Sequence, residues 1–167
     1  MKVAIVGAGW YGCHIALSLM QAGVDVTVYE KSNHTISGAS KRNQNRLHLG
    51  FHYPRDHETR IQSKEGYDWF IEHYGHLTSI IPNNYYAVAD EGSCIDGETF
   101  KIIMDGTGLS FREVGLDAFV DKFKCLNNII ECGERVIKNN LASKYFDLIL
   151  KDTVLFEQTI DLNDEKV

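Results

Sequence analysis

Two groups of residues in this chain have types and spacings that could do chemistry. The first is Gly7-Ala8-Gly9-Trp10-Tyr11-Gly12, with an acid, Glu30, further on. Gly7 suits a tight turn out of a strand. Gly9 has no side chain, so an anion can approach the backbone, and Gly12 lets a following helix pack close to a sheet. A helix start offers unpaired N–H groups and the positive end of a dipole, worth about 0.3–1 kcal/mol to a nearby anion. Glu30 is placed to accept hydrogen bonds from a ribose hydroxyl. The second group is the run from Lys41 to Arg55, in which His48, His52, Arg46 and several amides lie among Leu47, Leu49, Phe51 and Tyr53. A histidine exchanges protons near neutral pH, so either one suits proton transfer.

The elements that must position the first group can be read around it. Val3 to Val6 is a short apolar run, the pattern of a buried strand. A helix follows with Ile15, Ala16, Leu19 and Met20 on one face, and Gly23 stops it. Residues 24–29 alternate as a second strand ending at Glu30. Strand, glycine turn, helix, strand and terminal acid is the order a dinucleotide needs. Glu30 would repel a 2′-phosphate, which favours FAD or NAD over NADP, and Lys31 softens that preference. The other reading is an α/β turn that binds nothing, with Glu30 a solvated strand end.

Composition narrows the classes. The 167 residues, 44% hydrophobic and 24% charged, suit one globular domain or one domain with an insertion. A net charge of −6 is spread along the chain, and no basic block points to nucleic acid or an anionic membrane. No apolar run is long enough to span a bilayer. The N-terminus enters a strand at once, so a cytoplasmic protein is expected. Cys13, Cys94, Cys125 and Cys132 show no metal spacing and fit free thiols. Cys13 opens the first helix, where a thiol can be acidified, but a small packing residue explains it as well. Two histidines without a third ligand do not make a metal site.

Along the rest of the chain, residues 31–40 read as a polar loop. Residues 46–53 alternate, so an extended chain puts Arg46, His48 and His52 on one face. Residues 56–74 read as a helix capped by Asp56 and ended by Gly75, with Ile61, Trp69, Phe70 and Tyr74 on its apolar side. Ile80-Ile81 and residues 85–89 read as strands around a Pro82-Asn83-Asn84 turn. Tyr85 and Tyr86 suit cross-strand packing or a cavity wall. A helix is expected over 99–104, strands over 111–114 and 128–132, and a turn or short helix over 118–123. Asn139-Asn140 can cap a helix carrying Leu141, Tyr145, Leu148 and Ile149. Residues 153–160 form a β-rich run, and 161–164 have turn chemistry.

Strand–GAGWYG–helix–strand–Glu30, then SGAS, then NQNRLHLGFHYPR, resembles the N-terminal part of FAD-dependent oxidoreductases of the D-amino-acid oxidase type. It is closest to members with an RxHxGxHYPR-like segment. The resemblance implies FAD as cofactor, with Gly7, Gly9, Trp10, Tyr11 and Gly12 at the pyrophosphate and Glu30 and Lys31 at the ribose. It implies Ser40, Arg42, Asn43, Gln44 and Asn45 along the pyrophosphate and ribityl path, and His48, His52 and Arg46 toward the reacting end. The fold implied is a Rossmann-like parallel sheet of order 3-2-1, with an inserted α+β lobe and an incomplete sheet. Residues 1–50 and 136–167 would be the discontinuous FAD-binding domain, and residues 51–135 the substrate lobe. Proteins of this type continue for a second half, so a fragment, a complementing C-terminal half or a homo-oligomer is expected. The activity expected is oxidation of an amine or alcohol carbon by hydride transfer to flavin. The alternative is a non-catalytic nucleotide-binding or assembly module.

Overall fold

The computed structural model describes residues 1–119, 121 and 123–161. In chain order the elements are β1 (Lys2–Val6), α1 (Trp10–Gln21), β2 (Asp25–Tyr29), β3 (Arg46–Leu47), α2 (His57–Tyr74), β4 (Thr78–Ile80), β5 (Tyr85–Ala89), α3 (Gly97–Gly106), β6 (Phe111–Glu113), β7 (Leu126–Cys132), β8 (Arg135–Ile137), α4 (Asn139–Ile149) and β9 (Val154–Leu155). They fall into two compact units. One comprises Met1–Asn45 with the described residues from Lys138 onward, and the other Arg46–Ile137.

The first unit is a parallel sheet, β1-β2-β9, with β2 in the middle. Val26 and Val28 of β2 are buried. β1 departs from the fully buried strand its composition suggests: Lys2, Ala4 and Val6 are exposed, and among the described residues β1 pairs only with β2. The face of α1 also differs from expectation. Cys13 and Ala16 are buried completely, whereas Ile15 and Met20 turn outward. Small residues, not large ones, let this helix lie against the strands: a Cβ on Gly12 would sit 2.0 Å from the Gly7 carbonyl oxygen. The same reversal holds in α4. Ala142 and Phe146 are buried, while Leu141, Leu148 and Ile149 are exposed. Asn139 begins this helix without capping it. Its Nδ2 donates instead to the Ser40 carbonyl (2.8 Å) and to Asn45 Oδ1 (2.6 Å). The β-rich run 153–160 pairs only through Val154 and Leu155. Glu157 then takes a positive φ of 57°, and its N–H bonds to the Ser32 carbonyl.

The second unit holds two antiparallel three-stranded sheets, β3-β8-β4 and β5-β7-β6. Its core gathers Phe51, Val88, Phe100, Met104, Leu109, Ile130 and Cys132. Both main helices are capped by aspartate: Asp56 Oδ1 accepts from Thr59 N–H (3.0 Å), and Asp96 Oδ1 from Thr99 N–H (2.7 Å). The aromatic side of α2 is less buried than its spacing predicts, for Trp69 is 42% exposed and stacks on His73 at 4.0 Å, and only Tyr74 is deeply buried. The alternating run 46–53 is not one strand. It pairs over Arg46–Leu47 and then turns at Gly50, whose φ is +116°. A Cβ there would also meet the Arg60 carbonyl oxygen at 2.9 Å, so this turn requires glycine. Leu116–Phe119 forms a short helical turn. Val120 and Lys122 of the expected 118–123 segment, and residues 162–164 of the expected final turn, lie outside the described residues.

Candidate functional site

In the first unit, the turn after β1 meets the end of β2. Gly7 takes φ +97°, and its N–H donates to the Tyr29 carbonyl (2.7 Å). Ala8 N–H donates to Glu30 Oε2 (2.7 Å), and Ser32 N–H to Glu30 Oε1 (2.9 Å). Glu30 is buried, not a solvated strand end. Oε1 also accepts from the Ser37 hydroxyl (3.5 Å), and Oε2 has a second lone pair for another donor. Gly9 is the N-cap of α1, and the helix has no side-chain cap and no acid in its own first turn. Trp10 N–H donates to Ser40 Oγ (3.2 Å).

A cavity of about 420 Å³ opens over this turn. Gly7, Gly9, Glu30, Lys31 and Ser40 line it, with residues 158–160 on the far side. The volume lies within the range of small-molecule sites. Other residues singled out from the sequence stand elsewhere. The Trp10 ring packs edge-on against Phe146 at 5.2 Å, and Tyr11 is 86% exposed. Arg42, Asn43, Gln44 and Asn45 are not among the lining residues. Asn43 Oδ1 accepts from Asn45 N–H (2.8 Å), a local turn. Cys13 is a packing residue: its thiol is buried against the Ala8 carbonyl, and burial, then Asp147 and Glu30, push it up to about 12.

In the second unit, the turn at Gly50 brings His48 and His52 together, with ring centroids 4.8 Å apart. Two residues from distant positions complete the cluster. Glu134, wholly buried between β7 and β8, accepts from Leu49 N–H at Oε1 (2.8 Å) and from the Tyr86 hydroxyl at Oε2 (2.9 Å). His48 Nδ1 lies 3.2 Å from the same Oε2. Tyr86 also meets His52 edge-on at 5.4 Å. Tyr86 is thus a polar partner as well as a packing residue of β5. Arg46 donates through Nη1 to Asn84 Oδ1. A second cavity, about 380 Å³, is lined by Phe51, His52, Pro54, Val88, Ile95 and Phe100 among others. Among the described residues, no group of three or more His, Cys, Asp or Glu could hold a metal ion, and no helix is long and apolar enough to cross a membrane.

Burial raises a carboxyl group, but at Glu30 the hydrogen bonds from Ala8, Ser32 and Ser37 outweigh it. At Glu134 those from His48, Leu49 and Tyr86 do the same. Both groups are held below the ordinary value of 4.5. For the Tyr86 hydroxyl, burial and then the Glu134 charge push the other way, upward. The stability consequence follows from the sign. The unfolded chain, with ordinary carboxyls, binds protons at higher pH than the folded chain does. Glu30 and Glu134 therefore stabilise the fold fully above the ordinary value and lose that contribution as pH falls through the lowered ones. Thermal melts from about pH 6 down to about pH 3 should show a steep acid limb that Glu30→Gln and Glu134→Gln each flatten. Parallel limbs in all three proteins would contradict the assignment.

A parallel strand–helix–strand unit, with a glycine turn and a buried acid at one cavity, defines a class of nucleotide-site flavoproteins and dehydrogenases. Comparison with known proteins narrows it. Residues 2–110 match the family described as FAD dependent oxidoreductase, and the chain belongs to that family. It is 41% identical over 154 residues to FAD-dependent monooxygenase FPY4 of Fusarium mangiferae, covering 90% of this chain and 40% of the relative. It is 42% identical over 153 residues to FAD-dependent monooxygenase kojA of Aspergillus flavus, covering 86% and 36%. The chain thus spans about two-fifths of the length of these curated relatives. Its fold is similar to the FAD-bound L-alpha-glycerophosphate oxidase of Mycoplasma pneumoniae, with a TM-score of 0.68 and 17% identity over 93% of this chain and 44% of that one. It is also similar to glycine oxidase from Bacillus cereus, with a TM-score of 0.67 and 18% identity over 99% and 48%.

Proposed function

We propose that this chain holds FAD in the cavity over the glycine turn and serves an oxidoreductase that removes hydride from a carbon bearing nitrogen or oxygen. The observation carrying the reading is the meeting of Glu30 with the Ala8 N–H at the rim of that cavity. The residues fit the group. The uncapped start of α1 and the backbone of Gly7, Gly9, Trp10, Tyr11 and Gly12 receive the diphosphate. Glu30 accepts from the ribose hydroxyls, with Lys31 beside it. Ser40, and beyond it the 42–45 segment, continue the path of the cofactor. In this reading the chain is Rossmann-like in its first unit, and residues 51–135 form a substrate lobe.

When bound, FAD supplies the two-electron chemistry by accepting the hydride. The chain supplies the rest. As the C–H bond breaks, the substrate nitrogen or oxygen must lose its proton, and His48 is the acceptor, with His52 and Arg46 near the reacting end. The cavity beside His52, with Phe51, Val88, Ile95 and Phe100 in its wall, offers a surface for the substrate's carbon frame. The names of the curated relatives favour a second reading, a monooxygenase. Labelled dioxygen separates the two: a monooxygenase puts label into the organic product, whereas an oxidase leaves that product unlabelled and puts the label into hydrogen peroxide.

Titration of the purified chain with FAD tests the cofactor assignment directly. The protein should turn yellow, with absorbance bands in the blue and near-ultraviolet. Glu30→Ala should weaken binding about tenfold to a hundredfold, the effect of losing one or two charge-assisted hydrogen bonds. A wild-type chain that takes up no FAD overturns the reading and leaves the non-catalytic module.

A further inference from the structure

We infer that Glu134 is a positioning residue that locks the ring of His48 in a single tautomer, with the proton on Nδ1 and Nε2 left bare. This deepens the role proposed above for His48, but it rests on a geometry that stands without FAD.

Glu134 is buried completely, and its two oxygens collect three groups. Two of these must be donors. A backbone N–H such as that of Leu49 can only donate, and the Tyr86 hydroxyl at 2.9 Å is closer to the carboxylate than to His48 Nδ1, from which it lies 3.4 Å. The third, Nδ1 of His48, faces the same oxygen at 3.2 Å. An ionised carboxylate only accepts, and a bare imidazole nitrogen only accepts. Two acceptors at that distance in a buried site repel, so Nδ1 carries the hydrogen. The carboxyl is held in its ionised form by the same donors.

One consequence concerns the free end of the ring. With Nδ1 committed to Glu134, His48 can take a proton from a neighbour only through Nε2. This is the logic by which a second residue orients a histidine base. Leu49 N–H ties the backbone beside His48 to the same carboxylate, so the ring and the chain that carries it share one anchor. Tyr86 holds the second site on Oε2, and its ring lies edge-on to His52. Glu134 touches no substrate in this account; it acts through His48.

Nitrogen-15 NMR of the whole chain, labelled at histidine and free of FAD, reads the tautomer directly. The chain has seven histidines, and His48→Gln identifies the signals of His48 by their loss. At alkaline pH, wild type should show His48 with a protonated Nδ1 and a bare Nε2. Glu134→Gln should lose that single form, moving the proton to Nε2 or mixing the two, and Glu134→Asp should restore it in part. A wild-type ring protonated on Nε2 overturns the inference, as does an unchanged Nδ1–H form in Glu134→Gln. Should Glu134→Gln not fold, Tyr86→Phe decides. It removes the hydroxyl but leaves the hydrogen bond between His48 Nδ1 and Glu134, so the Nδ1–H form must persist, and its loss overturns the inference. The FAD titration is independent of this spectrum, so the two readings fail separately.

Discussion

Gly12→Ala should melt on the order of 10 °C below wild type, a loss of about 3 kcal/mol or more. The added Cβ would stand 2.0 Å from the Gly7 carbonyl oxygen and 3.1 Å from its carbonyl carbon. Backbone on both sides leaves no flexible side chain to move aside. Either α1 lifts from the sheet or the turn after β1 opens. Both changes also disturb the backbone that the proposed diphosphate would meet, so FAD uptake should fall with stability. Gly66 is the control. It lies inside α2 with open space around its missing Cβ, and Gly66→Ala should gain about 0.5–1 kcal/mol from helix propensity alone. Thermal denaturation of the two variants against wild type checks both. Equal melting of Gly12→Ala and wild type would mean that the close approach is not there.

Arg60→Met should cost about 3 kcal/mol, seen as a lower urea midpoint with an unchanged slope. Arg60 is a buried guanidinium on α2. Its Nε donates to Thr107 Oγ1 (2.6 Å), and its Nη1 to the carbonyls of Tyr53 (2.9 Å) and Pro54 (3.1 Å). Thr107 passes the contact on by donating to the Ile103 carbonyl (2.7 Å) at the end of α3. Methionine keeps the stem and strands every acceptor. Lysine keeps the charge but not the planar fork, so Arg60→Lys should recover only part of the loss. Hydrogen exchange at residues 53–56 should rise in both variants, because the loop loses its tie to the helix. Full stability in Arg60→Lys would show that charge, not geometry, holds the loop.

The parts legible in the sequence were those governed by local rules. The glycine turn, Glu30 at the end of β2, and the aspartate cap at Asp56 each follow from short local patterns. Even the FAD family could be read from motif strings. What failed was burial, where side-chain size misled. Ile15 and Met20 of α1 and Leu141, Leu148 and Ile149 of α4 are turned out, while Cys13 and Ala16 in α1 and Ala142 and Phe146 in α4 take the contact. Residues 153–160 have strand propensity, but the ladder stops at Leu155, because Glu157 takes a positive φ that breaks the extended run. His48 and His52 were visible as residue types, but not their approach, which depends on the turn at Gly50. Glu134 was missed altogether. It stands 86 residues from His48 in a short link between two strands, and no local pattern marks it as a partner. An acid two residues after a buried cysteine and just before a strand is a weak signal, recoverable only with the tertiary fold in view.

The manner in which Arg60 is bonded bears on how this region can diversify. In the loop it grips carbonyl oxygens of Tyr53, Pro54 and Asp56, groups that every amino acid possesses. The side chains of Tyr53 and Pro54 can therefore be exchanged without loosening the grip, provided the backbone keeps its path, whereas that of Asp56 is held by its cap on α2. A rim beside His52 that is fastened in this way is free to vary in shape and polarity while its foundation stays fixed, the separation of scaffold from variable surface on which new substrate preferences are built.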